Sequence, residues 1–257
     1  MGDGEIDKRS RYARALAEHR QALGVFSCLD GASVAHIFAA AGFDFVVVDK
    51  QHAAFTWPEL ENLCFRVRST GAAVFVRTAS FEAAELDLAL DLPLDGVVVP
   101  NVSSLVEART ALRRAKFPPA GERSIGNERH EATLEVSGAP EPLIGLLIEH
   151  VGAVAAIDDL LALGFDFVWV GLHDLAGSMG MDPRSGDPRR GISGPVKEAI
   201  EKVRAAASAR GVAFWGIAGV HPDAAAVLAG VDARLVRRVA DEAVTSFRQG
   251  SLRQLPD

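Results

Sequence analysis

The chain has 257 residues and only two cysteines, Cys28 and Cys64. Two thiols supply neither a disulfide framework nor a Cys-held zinc cluster. Cys28 closes an apolar run and Cys64 falls on an apolar helix face, so both read as buried thiols suited to a reducing cytoplasm. Basic charge is also short, because 27 Lys and Arg against 34 Asp and Glu leave a formal net charge of −7. That balance argues against a nucleic-acid surface and favours solubility. The longest basic runs are pairs (Arg113-Arg114, Arg189-Arg190, Arg237-Arg238) and read as solvated helix ends. No apolar stretch is long enough to span a bilayer, and residues 1–20 lack the apolar core of a signal peptide. Neither the dinucleotide fingerprint G-x-G-x-x-G after the first strand nor a P-loop is present.

What is present is alternation. Apolar runs that read as strands at 24–29, 45–48, 73–76, 96–99, 143–148, 165–170, 212–217 and 233–236 alternate with helical patterns. The helices are expected at 32–41, 58–69, 82–90, 103–116, 151–163, 194–210, 222–229 and 241–249. In the second of them Leu60, Leu63, Cys64 and Val67 share one face, Pro58 suits the first turn and Thr56 its cap. Eight βα units imply parallel strands with helical crossovers. At this length they predict an α/β fold, a closed (β/α)8 TIM barrel in a single domain over 1–257, with an open doubly wound sheet as the alternative. Connectors 117–142 and 171–193 are too long to be simple links and read as functional loops.

In such a barrel reactive groups gather at the C-terminal ends of the strands. The second strand ends in Asp49 with His52 three residues on, the third in Arg77, the fifth in Glu149 and His150, and the sixth in Gly171, His173 and Asp174. Glu149 and Asp174 read either as helix caps or as two carboxylates whose repulsion a divalent cation relieves. Hard oxygen donors favour Mg2+ or Mn2+. His150 and His173 are either further ligands or orienting, solvated side chains. Arg77 offers a fixed charge for a carboxylate or a developing oxyanion, or an ion pair with Asp49. His52 suits general acid–base work.

At these residues the chain resembles the HpcH/HpaI family of class II, metal-dependent 2-oxo-acid aldolases. Asp49-Lys50-Gln51-His52 matches that family's Asp-x-(Glu/Gln)-His motif and Val76-Arg77 its arginine strand. Asp91 and Gly96-Val97-Val98-Val99-Pro100 match its acid and Val-Pro strand, and 117–126 resembles its Pro-Pro-x-Gly-x-Arg loop. Leu147-Ile148-Glu149 and Asp174-Leu175-Ala176-Gly177 match its two metal-carboxylate motifs. The resemblance runs from about residue 24 to 219. It implies a TIM barrel assembled as a homohexamer, a trimer of dimers. The N-terminal helical extension would be 1–22, and a C-terminal helix at 239–257 would pack on, or exchange with, a neighbouring subunit.

Carried over residue by residue, Glu149 and Asp174 would hold Mg2+ or Mn2+, with Co2+ or Zn2+ as further candidates. Arg77 would steady the keto oxygen of a pyruvate-like 2-oxo acid, and His52 would move the proton, supported by Asp49. Asp91 would orient the histidine from a neighbouring subunit. Gly126, Gly171, Leu172 and His173 would line the substrate. The implied reaction splits a 4-hydroxy-2-oxo acid into pyruvate and an aldehyde, or runs in reverse.

Three departures bear on substrate. Leu147 stands where the family often has Gln. Gly171-Leu172-His173-Asp174 replaces Gly-Pro-x-Asp, and Val239-Ala240-Asp241 stands where a Gly-Ser-Asp-like turn is expected after the last strand. Alternatives are related enolate chemistry such as decarboxylation, an acyl-CoA lyase of the citramalyl or malyl type, and a non-enzymatic 2-oxo-acid-binding barrel.

Overall fold

The computed structural model describes residues 9–124 and 141–248. Eight parallel strands close into a barrel in chain order: β1 (Ala22–Ser27), β2 (Phe45–Asp49), β3 (Ala73–Arg77), β4 (Gly96–Val99), β5 (Leu143–Ile148), β6 (Phe167–Val170), β7 (Ala213–Ile217) and β8 (Ala226–Val231). The helices are α1 (Arg11–Ala17), which closes the foot of the barrel, and around it α2 (Ala32–Ala40), α3 (Trp57–Arg68), α4 (Ala83–Leu90), α5 (Leu105–Ala115), α6 (Val151–Ala155), α7 (Ile157–Leu161), α8 (Leu172–Ser178), α9 (Gly194–Arg210) and α10 (Asp232–Arg248). The expected face of α3 is buried, and Glu59 reaches back to the Thr56 N–H at 2.8 Å to close its first turn.

The end of the chain differs from expectation. Residues 222–229 are not a helix and 233–236 are not a strand; β8 is 226–231, and α10 begins directly after it. An alanine-rich segment reads as helical by propensity, but closing the barrel needs an eighth strand, and Ala226 and Leu228 face its interior. The register slips between Gly24↔Leu228 and Phe26↔Val231, so β8 carries an extra residue, a bulge at Gly230, whose φ is +148°. The last strand therefore passes into α10 at Gly230-Val231-Asp232, and residues 239–241, read as the turn after it, lie inside that helix.

Aromatic rings packed on glycines fill the barrel. Phe45, Phe75 and Phe167 each lie over a register partner on an adjacent strand: Gly24, Gly96 and Gly145. A Cβ on those glycines would come within 2.3, 2.9 and 2.1 Å of the ring atoms. Trp215 stacks on Phe167 with centroids 4.0 Å apart. From below, Tyr12 of α1 meets Phe45, Phe75 and Trp215 edge-on and accepts the Trp215 indole N–H at 3.2 Å. At the foot, Asp44, Asp95 and Asp166 stand just before β2, β4 and β6. Each accepts the backbone N–H of a residue in the preceding strand, Leu23, Val74 and Ile144, at 2.8, 2.9 and 2.7 Å.

This packing leaves no slack. Gly145→Ala is expected to lower the urea midpoint by the equivalent of ~1–3 kcal/mol, the usual cost of overpacking a core, with little change in the slope of the transition.

Candidate active site

Along a strand every second residue faces the barrel axis. Val47, Phe75 and Leu147 belong to the interior cluster, and two residues further on β2, β3 and just past β5 come Asp49, Arg77 and Glu149. The motif is thus the top layer of the barrel. Asp49 and Arg77 are register partners. Arg77 Nε and Nη2 donate to Asp49 Oδ1 and Oδ2 at 3.0 and 2.9 Å. Its Nη1 lies 3.8 Å from Glu149 Oε1, and its guanidinium carbon lies 4.9 Å from the centre of the Phe26 ring. Both alternatives for Arg77 are therefore compatible: it is paired, and it still faces the site. Asp49 Oδ1 also accepts the N–H groups of Gln51 and His52 at 3.0 and 3.3 Å. The turn that delivers His52 is wound on that carboxylate.

Glu149 is buried, and its Oε2 accepts the Asn101 N–H at 3.0 Å. Gly171 presses against it, since a Cβ there would stand 2.7 Å from Oε1. Burial pushes the Glu149 pKa up to about 7, against the pull of the Asn101 N–H and Arg77; Asp174 and Asp49 push it further up. Asp174 lies in the first turn of α8 and opens to the same cavity. Two carboxylates that disfavour each other's charge, one of them desolvated, are a donor set that a divalent cation fits. Among the described residues no group of three or more His, Cys, Asp and Glu gathers to hold a metal, so a cation here would complete its shell with water and substrate oxygens.

The cavity measures about 350 Å³. His52, Arg77, Glu149, His173 and Asp174 line it, as do Gly171 and Leu172. The capping alternatives fail: Gly171 stands before α8, and His150 caps α6, its Nδ1 accepting the Gly152 N–H at 3.0 Å. His150 is accordingly a structural residue. Asp91 is not brought to the cavity. It ends α4 at the foot of the barrel, where it pairs with Arg123 at 2.9 Å. Gly126 lies outside the described residues.

Sequence reasoning missed Phe26 and Trp169, which line the cavity from strands read only as packing, and Leu228 and Val231, which line it from a segment not read as a strand. It also missed Asp232. That buried side chain accepts from the Ser27 hydroxyl at 2.8 Å and from the Cys28 and Leu29 N–H groups at 3.1 and 3.2 Å, tying the end of β8 to the end of β1. A Gly-x-Asp after an apolar run was the available signal. Burial, and after it the Asp232 carboxylate, pushes the Cys28 thiol pKa up to about 11. The basic pairs are less scattered than expected. Arg189, Arg234, Arg237 and Arg238 line one groove beside α10, where Arg189, Arg237 and Arg238 pair with Asp187, Asp241 and Glu242.

An eight-stranded parallel barrel with this constellation at its strand ends defines an aldolase-like class, and comparison with known proteins agrees. The profile of the HpcH/HpaI aldolase/citrate lyase family matches residues 22–236, and the chain belongs to that family. A 4-hydroxy-2-oxovalerate aldolase from Rhodococcus jostii (strain RHA1) is 30% identical over 216 residues, 78% of this chain and 80% of that one. A hydroxypyruvate/pyruvate aldolase from Rhizorhabdus wittichii is 30% identical over 207 residues, 79% of this chain and 82% of that one. The crystal structure of an HpcH/HpaI aldolase from Desulfitobacterium hafniense DCB-2 superposes with a TM-score of 0.75 at 29% identity, covering 95% of this chain and 97% of that one.

The raised Glu149 pKa has a consequence for stability. Folding favours its protonated form, so its contribution is fully present below the unfolded value of about 4.5 and is lost as pH rises through about 7. In chelator, the protein is expected to lose up to ~3 kcal/mol between pH 5 and 8. Thermal melts should show this fall in wild type. It should be reduced by saturating Mg2+ and absent in Glu149→Gln.

Proposed function

We propose that the chain is a divalent-metal-dependent carbon–carbon lyase that splits 4-hydroxy-2-oxo acids into a short 2-oxo acid and an aldehyde, and joins them in reverse. The observation that carries this reading is the convergence of a fixed guanidinium, two carboxylates and an imidazole on one cavity at the strand ends. A pure binding barrel has no use for a base beside that pair. Glu149 and Asp174 would hold the cation, Mg2+ or Mn2+ foremost and Co2+ or Zn2+ as alternatives. When bound it would supply Lewis-acid polarisation of the keto group.

The remaining roles belong to the chain. In the cleavage direction His52 accepts the proton of the 4-hydroxyl as the C3–C4 bond breaks. The bonding electrons pass into the C2–C3 enolate, and C4 leaves as the aldehyde. His52, directly or through water, then returns a proton to C3. Arg77 holds its charge where the keto oxygen becomes negative, an electrostatic stabilisation that strengthens as the reaction proceeds. Asp49 fixes Arg77 and the turn before His52, so it acts as a positioning residue. Gly171 and Leu172 line the side of the cavity next to Glu149. The two free thiols accord with a reducing cytoplasm, and among the described residues no helix is long and apolar enough to cross a membrane.

We also propose a homo-oligomer, a hexamer built as a trimer of dimers. α10 leaves Val236, Val239 and Val244 exposed at 47, 61 and 48% along one helical stripe, and Asp91 reaches a His52 only from another copy. Light scattering should show an assembly that Val239→Asp reduces to smaller species.

The direct test follows deuterium exchange at the pyruvate methyl by NMR. Wild type should exchange with Mg2+ or Mn2+ and stop on chelation. His52→Ala should lose ~10²–10⁴-fold, the usual range for removal of an acid–base group, while calorimetry shows metal binding retained. An absence of metal-dependent exchange in wild type would sink the lyase reading.

A further inference from the structure

The cavity is divided by chemistry. Its polar groups, His52, Arg77, Glu149, His173 and Asp174, come from the arc of β2, β3, β5 and β6. The facing arc of β7, β8 and β1 contributes Ile217, Leu228, Val231 and Phe26. Beneath both lie Leu147 and Trp169, register partners on β5 and β6. Trp169 is half-buried and meets Phe26 edge-on at 5.5 Å, giving an aromatic corner open to the cavity. Leu147 is buried in the floor.

A 4-hydroxy-2-oxo acid is divided in the same way. Its carboxylate and keto oxygen are at one end, and the group contributed by the aldehyde is at the other. The polar arc takes the oxygen-bearing head, so the tail runs to the apolar arc. Among the described lining residues there is no lysine and no second arginine. Arg77 is already engaged by Asp49 through two hydrogen bonds. A tail ending in a carboxylate or phosphate would leave water against leucine and tryptophan with no free cation to receive it. A polyhydroxylated tail would lose its bonds to water against the same wall. The bulge at Gly230 gives the apolar arc an extra residue where the tail would lie. At about 350 Å³ the cavity falls in the ~300–1,000 Å³ range that encloses small organic ligands, with room for head and tail together.

We propose, building on the lyase reading above, that the aldehyde-derived tail is uncharged and apolar, an aromatic or branched aliphatic group, and that Leu147 sets this preference. Leu147 acts by keeping the floor free of any hydrogen-bonding group. A glutamine at the same place would carry an amide to the foot of Trp169 and reward a hydroxylated tail.

Two measurements on the whole protein with Mg2+ test this. Binding is separated from chemistry by 2-oxo acids that lack the 4-hydroxyl and cannot be cleaved. By calorimetry, 2-oxo-4-phenylbutanoate should bind at least ~10-fold more tightly than 2-oxoadipate, whose tail is a carboxylate. In turnover with pyruvate, kcat/KM for benzaldehyde or 3-methylbutanal should exceed that for glycolaldehyde or succinic semialdehyde by a similar factor. Leu147→Gln should lower the apolar-to-hydroxylated ratio ~10-fold, and Leu147→Met should keep it within ~3-fold. Equal or reversed preference in wild type overturns the proposal while methyl exchange still supports the lyase. Apolar preference in binding without methyl exchange supports the tail site and overturns the lyase. Should Leu147→Gln fail to fold, the wild-type panel and Leu147→Met decide.

Discussion

A guanidinium cannot shed its charge inside a protein, and Arg77 is only 8% exposed. Its position therefore depends on Asp49, and the rest of the site depends on the pair. Removing one partner of such a buried pair costs ~3–5 kcal/mol, because the other charge is left without compensation. The pair joins the tops of β2 and β3, places Nη1 beside Glu149, and lays the guanidinium over Phe26. It also decides what Asp49 can do. Oδ1 accepts from Gln51, His52 and Arg77, and Oδ2 accepts from Arg77. A carboxylate so surrounded by donors has little left for a cation. Glu149 and Asp174, short of donors and adverse to each other's charge, are the opposite case.

The pair stands on a rigid base. Directly below it are Val47 and Phe75, and Phe75 is locked among Phe45, Phe167, Trp215 and Tyr12 by ring contacts of 4.8 to 5.8 Å. Glycines on neighbouring strands make those ring positions accessible, and the rings in turn leave the glycines no alternative side chain. A site built on strands over such a core keeps its geometry better than one built on loops. The mobile partner in the chemistry is then the substrate and the proton, and the scaffold stays fixed.

Most of this was readable from residue order because the relevant strands are written in β-branched runs that end in a charge. Phe45 to Asp49 and Ala73 to Arg77 announce both the strand and the layer at which it turns polar. β8 was not readable for a related reason: Ala224 to Leu228 has no β-branched excess and resembles a helix locally, and only closure of the barrel makes it a strand. The error moved the following turn by nine residues and hid Asp232. The apolar wall was hidden differently. Phe26 and Trp169 look like ordinary core residues, and their exposure to the cavity follows from strand register, which a linear pattern does not contain. Asp91 shows a third limit, since the spacing that places it between α4 and β4 does not by itself say which rim of which copy it serves.

Within one copy, chemistry and packing are each left with a loose end. Among the described residues no side-chain partner holds the His52 imidazole, so both of its tautomers are open to it. The acid that would orient it sits at the foot of the barrel, and His52 sits at the mouth. In the proposed assembly a contact between Asp91 of one copy and His52 of another can be made across a twofold axis, where it occurs twice, or around a ring, where each copy gives one and receives one. The exposed stripe of α10 can meet its own copy across a twofold axis, where a self-complementary apolar face is what the symmetry requires. On this reading both loose ends are closed by neighbouring copies, one contact completing the base and the other covering the helix.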